Sequence, residues 1–420
     1  MWPTCSRGLG VGRERRQRRA WLLHCNRRGG VRIVVARVRY RSFHSYEEGL
    51  WRDTLVTSIN KPMCTACKII DSSRVDALGA RLLDVLNNSG LALMISLGHR
   101  SGLFDVMSKI PPGTAHEIAR AAKLNERYVR EWLSCMLVGR IVEHDPAKKT
   151  WWLPPEHAAL LTRSAAPNNI AAFMQYVSVL GSVEDKILHC FREGGGVPYS
   201  EYTRFHEVMA EDSGQSVVGA LFEHILPLVP GLTEKLWSGI DVLDVGCGRG
   251  IALRMMAARY PRSRFVGVDY SHEAIAWANE QAAQDRLTNI RYEQGDAARM
   301  NYDCAFDFIT TFDAVHDQAR PDLVLANIAR ALRLDGVYLM QDIRASSLPH
   351  ENMDHPAGVF LYTISTMHCM TVSLAVGGMG LGTCWGRQLA EKMLNEAGFG
   401  AVHVEHLAHD FQNDYYIVRH

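Results

Sequence analysis

Three glycines at alternate positions, Gly246, Gly248 and Gly250, follow an apolar run that ends in Asp244, in the stretch VLDVGCGRG of residues 242–250. A turn without side chains at the end of a buried strand lets backbone amides come close to a nucleotide-like ligand. The spacing is GxGxG. It is not the dinucleotide fingerprint GxGxxG, because position 251 is Ile, nor a P-loop, because no Gly-Lys-Ser/Thr follows. A second candidate lies in FDAVHDQARP, residues 312–321, where His316 and Asp317 precede a helix opened by Pro321. An imidazole titrates near neutrality and suits the work of a general base. Position alone leaves three readings of His316 open: base, pocket wall or loop cap.

Such groups need strands to deliver them. From residue 240 the short apolar stretches IDVLDV, RFVGVD, IRYEQGD, FDFITTFDAV and GVYLMQDI are interleaved with the helical stretches IALRMMAARY, HEAIAWANEQAAQ and PDLVLANIARAL. That alternation predicts an α/β fold, a Rossmann-like doubly wound sheet whose ligands lie at the carboxyl ends of the strands. AEKMLNEAGF and VHVEHLAHDFQNDYYIVRH then predict a last helix and a closing antiparallel hairpin.

Upstream, RVDALGARLLDVL and LALMISLGHRSGLFDVM read as two helices with a break at NNSG. In 114–161 Thr114 and Glu117 form a capping box, Asn125 caps a second helix, and Val129, Trp132, Leu133, Met136 and Leu137 recur at helical spacing. Gly139 ends that helix, and RIVEH, DPAKK and TWWL make a hairpin, completing a winged helix-turn-helix. The expected organisation is therefore a basic extension over 1–62, an all-helical/winged-helix domain over 72–164, a helical connector and pocket wall over 165–235, and the sheet domain over 236–420 with an insertion at about 346–385.

The formal net charge of +1 is unevenly spread. Residues 1–62 hold 14 Lys/Arg and 4 Asp/Glu, leaving 32 against 41 for the rest, a net-acidic body. Phosphate neutralisation dominates nucleic-acid affinity, and residues 114–161 hold 7 basic against 6 acidic side chains, so nucleic acid is not the expected partner. The basic run RERRQRR at 13–19 is compatible with a mitochondrial transit peptide, a disordered arm, or an extension ahead of a start at Met63. The expected location is cytoplasmic, with mitochondrial as the alternative. Ten cysteines without framework spacing fit a reduced protein, and the lone CxxC of Cys64 and Cys67 lacks a second pair, so no metal site is expected. No window of about eighteen uninterrupted apolar residues is found, so no membrane span is expected.

DVGCGRG resembles motif I of the class I S-adenosylmethionine (SAM) methyltransferases, and the likeness runs over about 236–345. It implies a seven-stranded methyltransferase sheet with SAM as cofactor, held by the loop of Gly246, Gly248 and Gly250. Asp269 would accept the ribose hydroxyls. Asp296 would take the adenine amine and the Ala297 N–H a ring nitrogen, while Asp244 would orient the loop or meet the methionine amino group. Without the resemblance, each aspartate could equally cap the helix that follows its strand. The segment around His316 resembles the His-Asp step of small-molecule O-methyltransferases, which implies that His316 deprotonates a hydroxyl. The same resemblance implies that the winged helix dimerises and closes the pocket. This sequence departs from the plant-type pattern at Gln318, where a Trp would follow His-Asp. From about 72 to the end the chain looks like the mycobacterial-type winged-helix methyltransferases and their animal relatives.

The glycines at 377, 378, 380 and 382 do not lie between a strand and a helix, so the insertion reads as a lid, with Tyr362, His368 and Cys369 as substrate-pocket candidates or ordinary core residues. The reading is a homodimeric SAM-dependent methyltransferase with a small, apolar or aromatic acceptor. Its alternatives are a SAM-responsive winged-helix transcription regulator and a catalytically silent SAM-binding protein.

Overall fold

The computed structural model describes residues 70–408, 410 and 412–420, of which 215 and 216 by backbone alone, with the backbone of 20–25 and 31–36. The run at 13–19, Met63, Cys64 and Cys67 lie outside the described residues. The chain divides into two compact units, residues 1–83 and 84–420. In the first, β1 (Ala20–Cys25) pairs antiparallel with β2 (Val31–Ala36).

Helix α1 (Ser72–Arg100) runs straight through Asn87–Gly90, where the sequence predicted a break. Ser89 returns its hydroxyl to the Val85 carbonyl at 2.8 Å, and the roughly 1 kcal/mol cost of a helical glycine is carried by a helix 29 residues long whose last turns are buried. The break comes instead at Gly102, in the left-handed conformation at φ 74°, ahead of α2 (Leu103–Met107).

The winged helix forms as expected. Thr114 and Glu117 close their capping box at the start of α3 (Ala115–Ala122), and Asn125 caps α4 (Glu126–Val138) through the Arg127 amide. Strands β3 (Glu143–Asp145) and β4 (Thr150–Trp152) make the wing, followed by α5 (Pro155–Leu161). Phe104, Ile118, Trp132, Leu133 and Met136 fill its core. The connector holds α6 (Gln175–Gly181), α7 (Glu184–Glu193), α8 (Phe205–Ser213), two π-helical turns over 214–225 and α9 (Leu232–Ser238).

The sheet is built from β5 (Asp241–Val245), β6 (Arg264–Asp269), β7 (Ile290–Gln294), β8 (Phe306–Phe312), β9 (Leu332–Ile343), β10 (Ala401–Glu405) and β11 (Asn413–Arg419) in the order β10-β11-β9-β8-β5-β6-β7. Strands β5 to β9 are parallel, and β11 lies antiparallel between β9 and β10. Helices α10 (Ile251–Arg259) and α11 (His272–Gln284) cover one face. Helix α12 (Pro321–Ala331) and, after the insertion, the last helix (Gly386–Glu396) cover the other. The strand order reverses between β5 and β8, so a crevice opens there at the carboxyl edge.

The insertion between β9 and the last helix carries α13 (Gly358–Ile364), a π-helical turn over Ser365–Cys369, and α14 (Met370–Ala375); the helix after it is α15. The run Gly358–Ala375 is the one helix among the described residues long and apolar enough to cross a membrane, a qualification the sequence reading did not foresee. It is 44% buried within the protein, and Ile364, Cys369 and Val372 pack with Tyr176, Val197, Tyr202 and Phe205 of the connector.

Candidate functional site

Gly246, Gly248 and Gly250 all adopt left-handed φ, at 72°, 53° and 62°, where a Cβ is strained. Their surroundings differ. A Cβ on Gly246 would strike Ala314 and one on Gly250 the Tyr292 ring, whereas at Gly248 nothing lies within 4 Å. The outer two glycines therefore let the loop sit against the sheet, and the middle one presents bare backbone to open space. Tyr292 fastens the turn by donating its hydroxyl to the Gly250 carbonyl at 2.8 Å.

The expected carboxylates surround this loop. Asp269 accepts from the amides of Gly248 and Ser271, both at 2.8 Å. Ser271, not Asp269, caps α11. Asp244 is buried beneath the loop and accepts from the Thr310 hydroxyl at 2.8 Å. Burial, against that hydrogen bond, pushes its carboxyl up to about 7. Asp296 does act as a cap: it accepts from the Ala298 amide at 2.9 Å and opens the short turn that contains the buried Ala297.

Across the reversal stands His316, 3% exposed, its Nδ1 2.8 Å from Asp342 Oδ1. Burial alone would push the imidazole down, but the Asp342 carboxylate, aided by the Cys369 thiol, carries it well above its ordinary value. Asp342 Oδ1 also accepts from the Ile343 amide at 2.8 Å and the Trp385 indole N–H at 3.0 Å. That convergence fixes the carboxylate, which in turn fixes the ring. Burial lifts the neighbouring Asp317 to about 6. Gln318, in the position of the plant-type Trp, turns its amide back onto the Ala314 carbonyl at 2.8 Å.

The insertion forms a roof over this loop. Ser373 donates its hydroxyl to the Gln318 carbonyl at 2.9 Å, and the Met379 amide donates to the Ala319 carbonyl at 2.9 Å. Gly196 packs so tightly on α14 that a Cβ would collide with its backbone, and the Val197 amide donates to Thr371 at 2.8 Å. His368 is buried in an aromatic cage, stacked at 3.5 Å on Phe205 with the edges of Tyr199 and Tyr202 at 4.8 Å. Burial drives it well below its ordinary pKa, and both ring nitrogens lack partners. Cys369 lies beside His316. Tyr362 does not join them. Its hydroxyl meets Asn352 Nδ2 at 2.9 Å, and its ring lines an outer hollow of about 610 Å³ with Met353 and Val359. The helix places it one turn and a half before His368, on the face turned away from the crevice.

Sequence reasoning missed Asp342, Trp385, Thr310 and Tyr199. Asp342 had a signal, a carboxylate in QDI at the end of the strand beside that of His316. Tyr199, in the Gly-rich loop, is half-buried, and its phenol is raised by loss of solvent and then by Asp317 and Asp269, which puts it between the two sides of the crevice. Nothing in its local sequence announced that.

Residues 89–163 match the family described as an Rv2258c-like winged HTH domain, and residues 236–398 the family described as a methyltransferase domain. The fatty-acid O-methyltransferase of Mycolicibacterium smegmatis is 29% identical over 107 residues, 25% of this chain and 38% of that protein. The nocamycin O-methyltransferase of Saccharothrix syringae is 36% identical over 102 residues, 23% of this chain and 36% of that protein. The matches thus span under half the length of these relatives. Among solved structures, a candidate O-methyltransferase from Nostoc punctiforme superposes with TM-score 0.62 at 17% identity, covering 81% of this chain and 98% of its own. Human N-acetylserotonin methyltransferase, in complex with SAM, gives 0.58 at 15% identity, covering 85% and 99%. Such identities speak for the fold: seven strands in a Rossmann-like sheet behind a helical, winged region. The chain therefore joins an Rv2258c-like winged HTH domain to a methyltransferase domain.

Proposed function

We propose that this protein is a SAM-dependent methyltransferase acting on a small molecule. One observation carries the reading: a glycine turn with bare backbone at Gly248, braced by Asp269, faces a buried His316–Asp342 pair across the point where the strand order reverses. The residues present suit SAM. Gly246, Gly248 and Gly250 would admit it closely, Asp269 keeps lone pairs for ribose hydroxyls beyond its two backbone bonds, Asp296 with Ala297 would meet the adenine, and Asp244 would support the loop from below. When bound, SAM supplies a methyl group already activated on a sulfonium, so no covalent enzyme intermediate is required.

The work left to the chain is alignment and the removal of a proton. His316 Nε2 is the acceptor for that proton, and Asp342 holds Nδ1 so that the ring keeps one orientation and the resulting imidazolium is stabilised. Because the ring's pKa is raised, the competent neutral form grows as pH rises, and kcat/KM should climb on the alkaline side of neutrality. The roof of α13, α14 and the turn between them would exclude water.

Calorimetry with S-adenosylhomocysteine, followed by a metabolite screen with radiolabelled SAM, tests the proposal. Stoichiometric binding and transfer to an extractable small molecule are expected, and absence of binding would end it. We further propose a homodimer, supported by the exposed Val75, Leu78, Leu82 and Leu86, which recur along one side of α1. Light scattering of Leu82→Glu should then report a smaller particle. A DNA-reading role is disfavoured because Arg127 pairs with Glu131 and Arg130 with Glu126 on α4, leaving few uncompensated cations; retention of random duplex at physiological salt would reverse that view.

A further inference from the structure

We propose that the acceptor side of the crevice is built to receive a molecule that carries a positively charged nitrogen. The inference rests on the methyltransferase reading above, which assigns β5 to β7 to the cofactor and leaves the ends of β8, β9 and β11 for the acceptor. Asp313 follows β8, Gln341 and Asp342 lie at the end of β9, and Asn413 opens β11, which runs the opposite way and so begins at the same edge. Gln341 and Asn413 share one face of the sheet by the alternation of side chains.

The hydrogen bonds there are lopsided. Asp410 Oδ2 accepts from Tyr415 at 2.7 Å, from Asn413 Nδ2 at 3.1 Å and from Gln341 Nε2 at 3.5 Å. A carboxylate can only accept, so both amides must turn their NH2 groups towards it, and their oxygens face elsewhere. Gln341 Oε1 and Asn413 Oδ1 are buried with no partner, and so are Asp313 Oδ1 and Asp342 Oδ2. Gln341 and Asn413 are themselves 0% exposed. Four residues at one edge thus hold four orphaned oxygens: the amide oxygens of Gln341 and Asn413, which can only accept, lie on one face of the sheet, Asp342 by the same alternation starts from the other, and Asp313 follows the neighbouring strand.

Buried acceptors without donors are costly, which makes such a cluster a demand for N–H or O–H groups. Charge defines the demand further. Burial, then the carboxylates of Asp342, Asp410 and Asp212, holds Asp313 well above its ordinary range despite the opposing His316. Burial likewise lifts Asp212, bonded to the Tyr176 hydroxyl at 2.8 Å, to about 7. A hydroxyl on the ligand brings one donor and no charge. A protonated amine brings up to three donors and offsets the repulsion among the carboxylates. The described residues contain no grouping of His, Cys, Asp and Glu fit to hold a metal ion, and the mixed amide and carboxylate set suits an organic cation.

Three phenols of similar size test this: tyramine, 4-ethylphenol and 3-(4-hydroxyphenyl)propionate, cationic, neutral and anionic at the far end. Each is titrated calorimetrically into the full chain, with and without S-adenosylhomocysteine. Tyramine should bind at least about tenfold more tightly than the other two. Asp313→Asn should remove most of that preference with S-adenosylhomocysteine affinity unchanged, and Gln341→Leu should reduce it if the first variant folds poorly. Equal or weaker binding of tyramine, no tyramine binding, or a preference undiminished in both variants overturns the proposal. Loss of S-adenosylhomocysteine binding by the unmodified chain would instead strike the methyltransferase reading, so the two failures are separable.

Discussion

The two sides of the crevice are finished to different degrees. On the side of β5 to β7 the groups are already tied: Asp269 to Gly248 and Ser271, Asp296 to Ala298, Tyr292 to Gly250, and Asp244 to Thr310 of the adjoining β8. On the side of β8, β9 and β11, Asp313 sits in a left-handed backbone at φ 49°, and oxygens of Asp313, Gln341, Asp342 and Asn413 have no partner. A half whose carboxylates are already tied, with only the Nε atoms of Arg249 and Arg254 left over, suits a ligand that never changes. A half with unspent hydrogen-bonding capacity suits one that must be selected. Strain and unsatisfied polar groups persist only where surrounding structure enforces them, and they concentrate at working sites.

The contrast can be broken most severely at His316. His316→Ala should lower methyl transfer by about 10²- to 10⁴-fold while S-adenosylhomocysteine affinity stays within about twofold of wild type, near the noise of a calorimetric comparison. A loss of only a few fold would recast His316 as a pocket wall. On the other side, Gly250→Ala drives a Cβ into Tyr292 and should weaken S-adenosylhomocysteine by about 100-fold. Gly248→Ala meets only the left-handed penalty of roughly 1–2 kcal/mol and should cost about tenfold. The reverse ranking would show that the loop is not shaped by its packing on the sheet.

Smaller effects sharpen the same comparison. Asp342→Asn removes the charge that raises His316, so the rising limb of the pH profile of kcat/KM should move towards acid and kcat should fall about tenfold, read in a stopped radiolabel assay. With its folded value near 7 and the unfolded value near 4, Asp212 holds the extra proton in the native chain in between, so stability declines as pH climbs from 4 to 7. In urea melts Asp212→Asn should gain on the wild type across that window, by ~1–2 kcal/mol at pH 7. The least effect is expected of Tyr362→Phe, which removes a hydroxyl paired with Asn352 on the outer hollow and should alter kcat/KM by less than about twofold.

What the sequence made legible follows from the range of the interactions involved. Gly246, Gly248 and Gly250 could be read because a left-handed turn demands glycine locally, and the capping box of Thr114 and Glu117 because its partners are three residues apart. The strands of the parallel sheet announced themselves as short apolar runs. Asn87–Gly90 misled because poor helix formers mark a break only when nothing else sustains the helix. The roles of Asp342 and Trp385 are set by the fold: Asp342 meets His316 from 26 residues away, with only its place at a strand end to announce it, and Trp385 meets Asp342 from 43 residues away with no local signal. Tyr362 shares the insertion with His368 and Cys369, but its hydroxyl meets Asn352 and its ring lines the outer hollow.

The bond from the Trp385 indole to Asp342 ties the far end of the roof to the group that governs the base. An opening that reached the segment delivering Trp385 would loosen one of the three donors that steady the carboxylate. Proton-accepting power and enclosure would then rise and fall in step, which protects a reactive sulfonium from being spent on solvent while the door stands ajar. With the other eight tryptophans replaced, the same indole would offer a native optical signal for that movement, with no dye to attach.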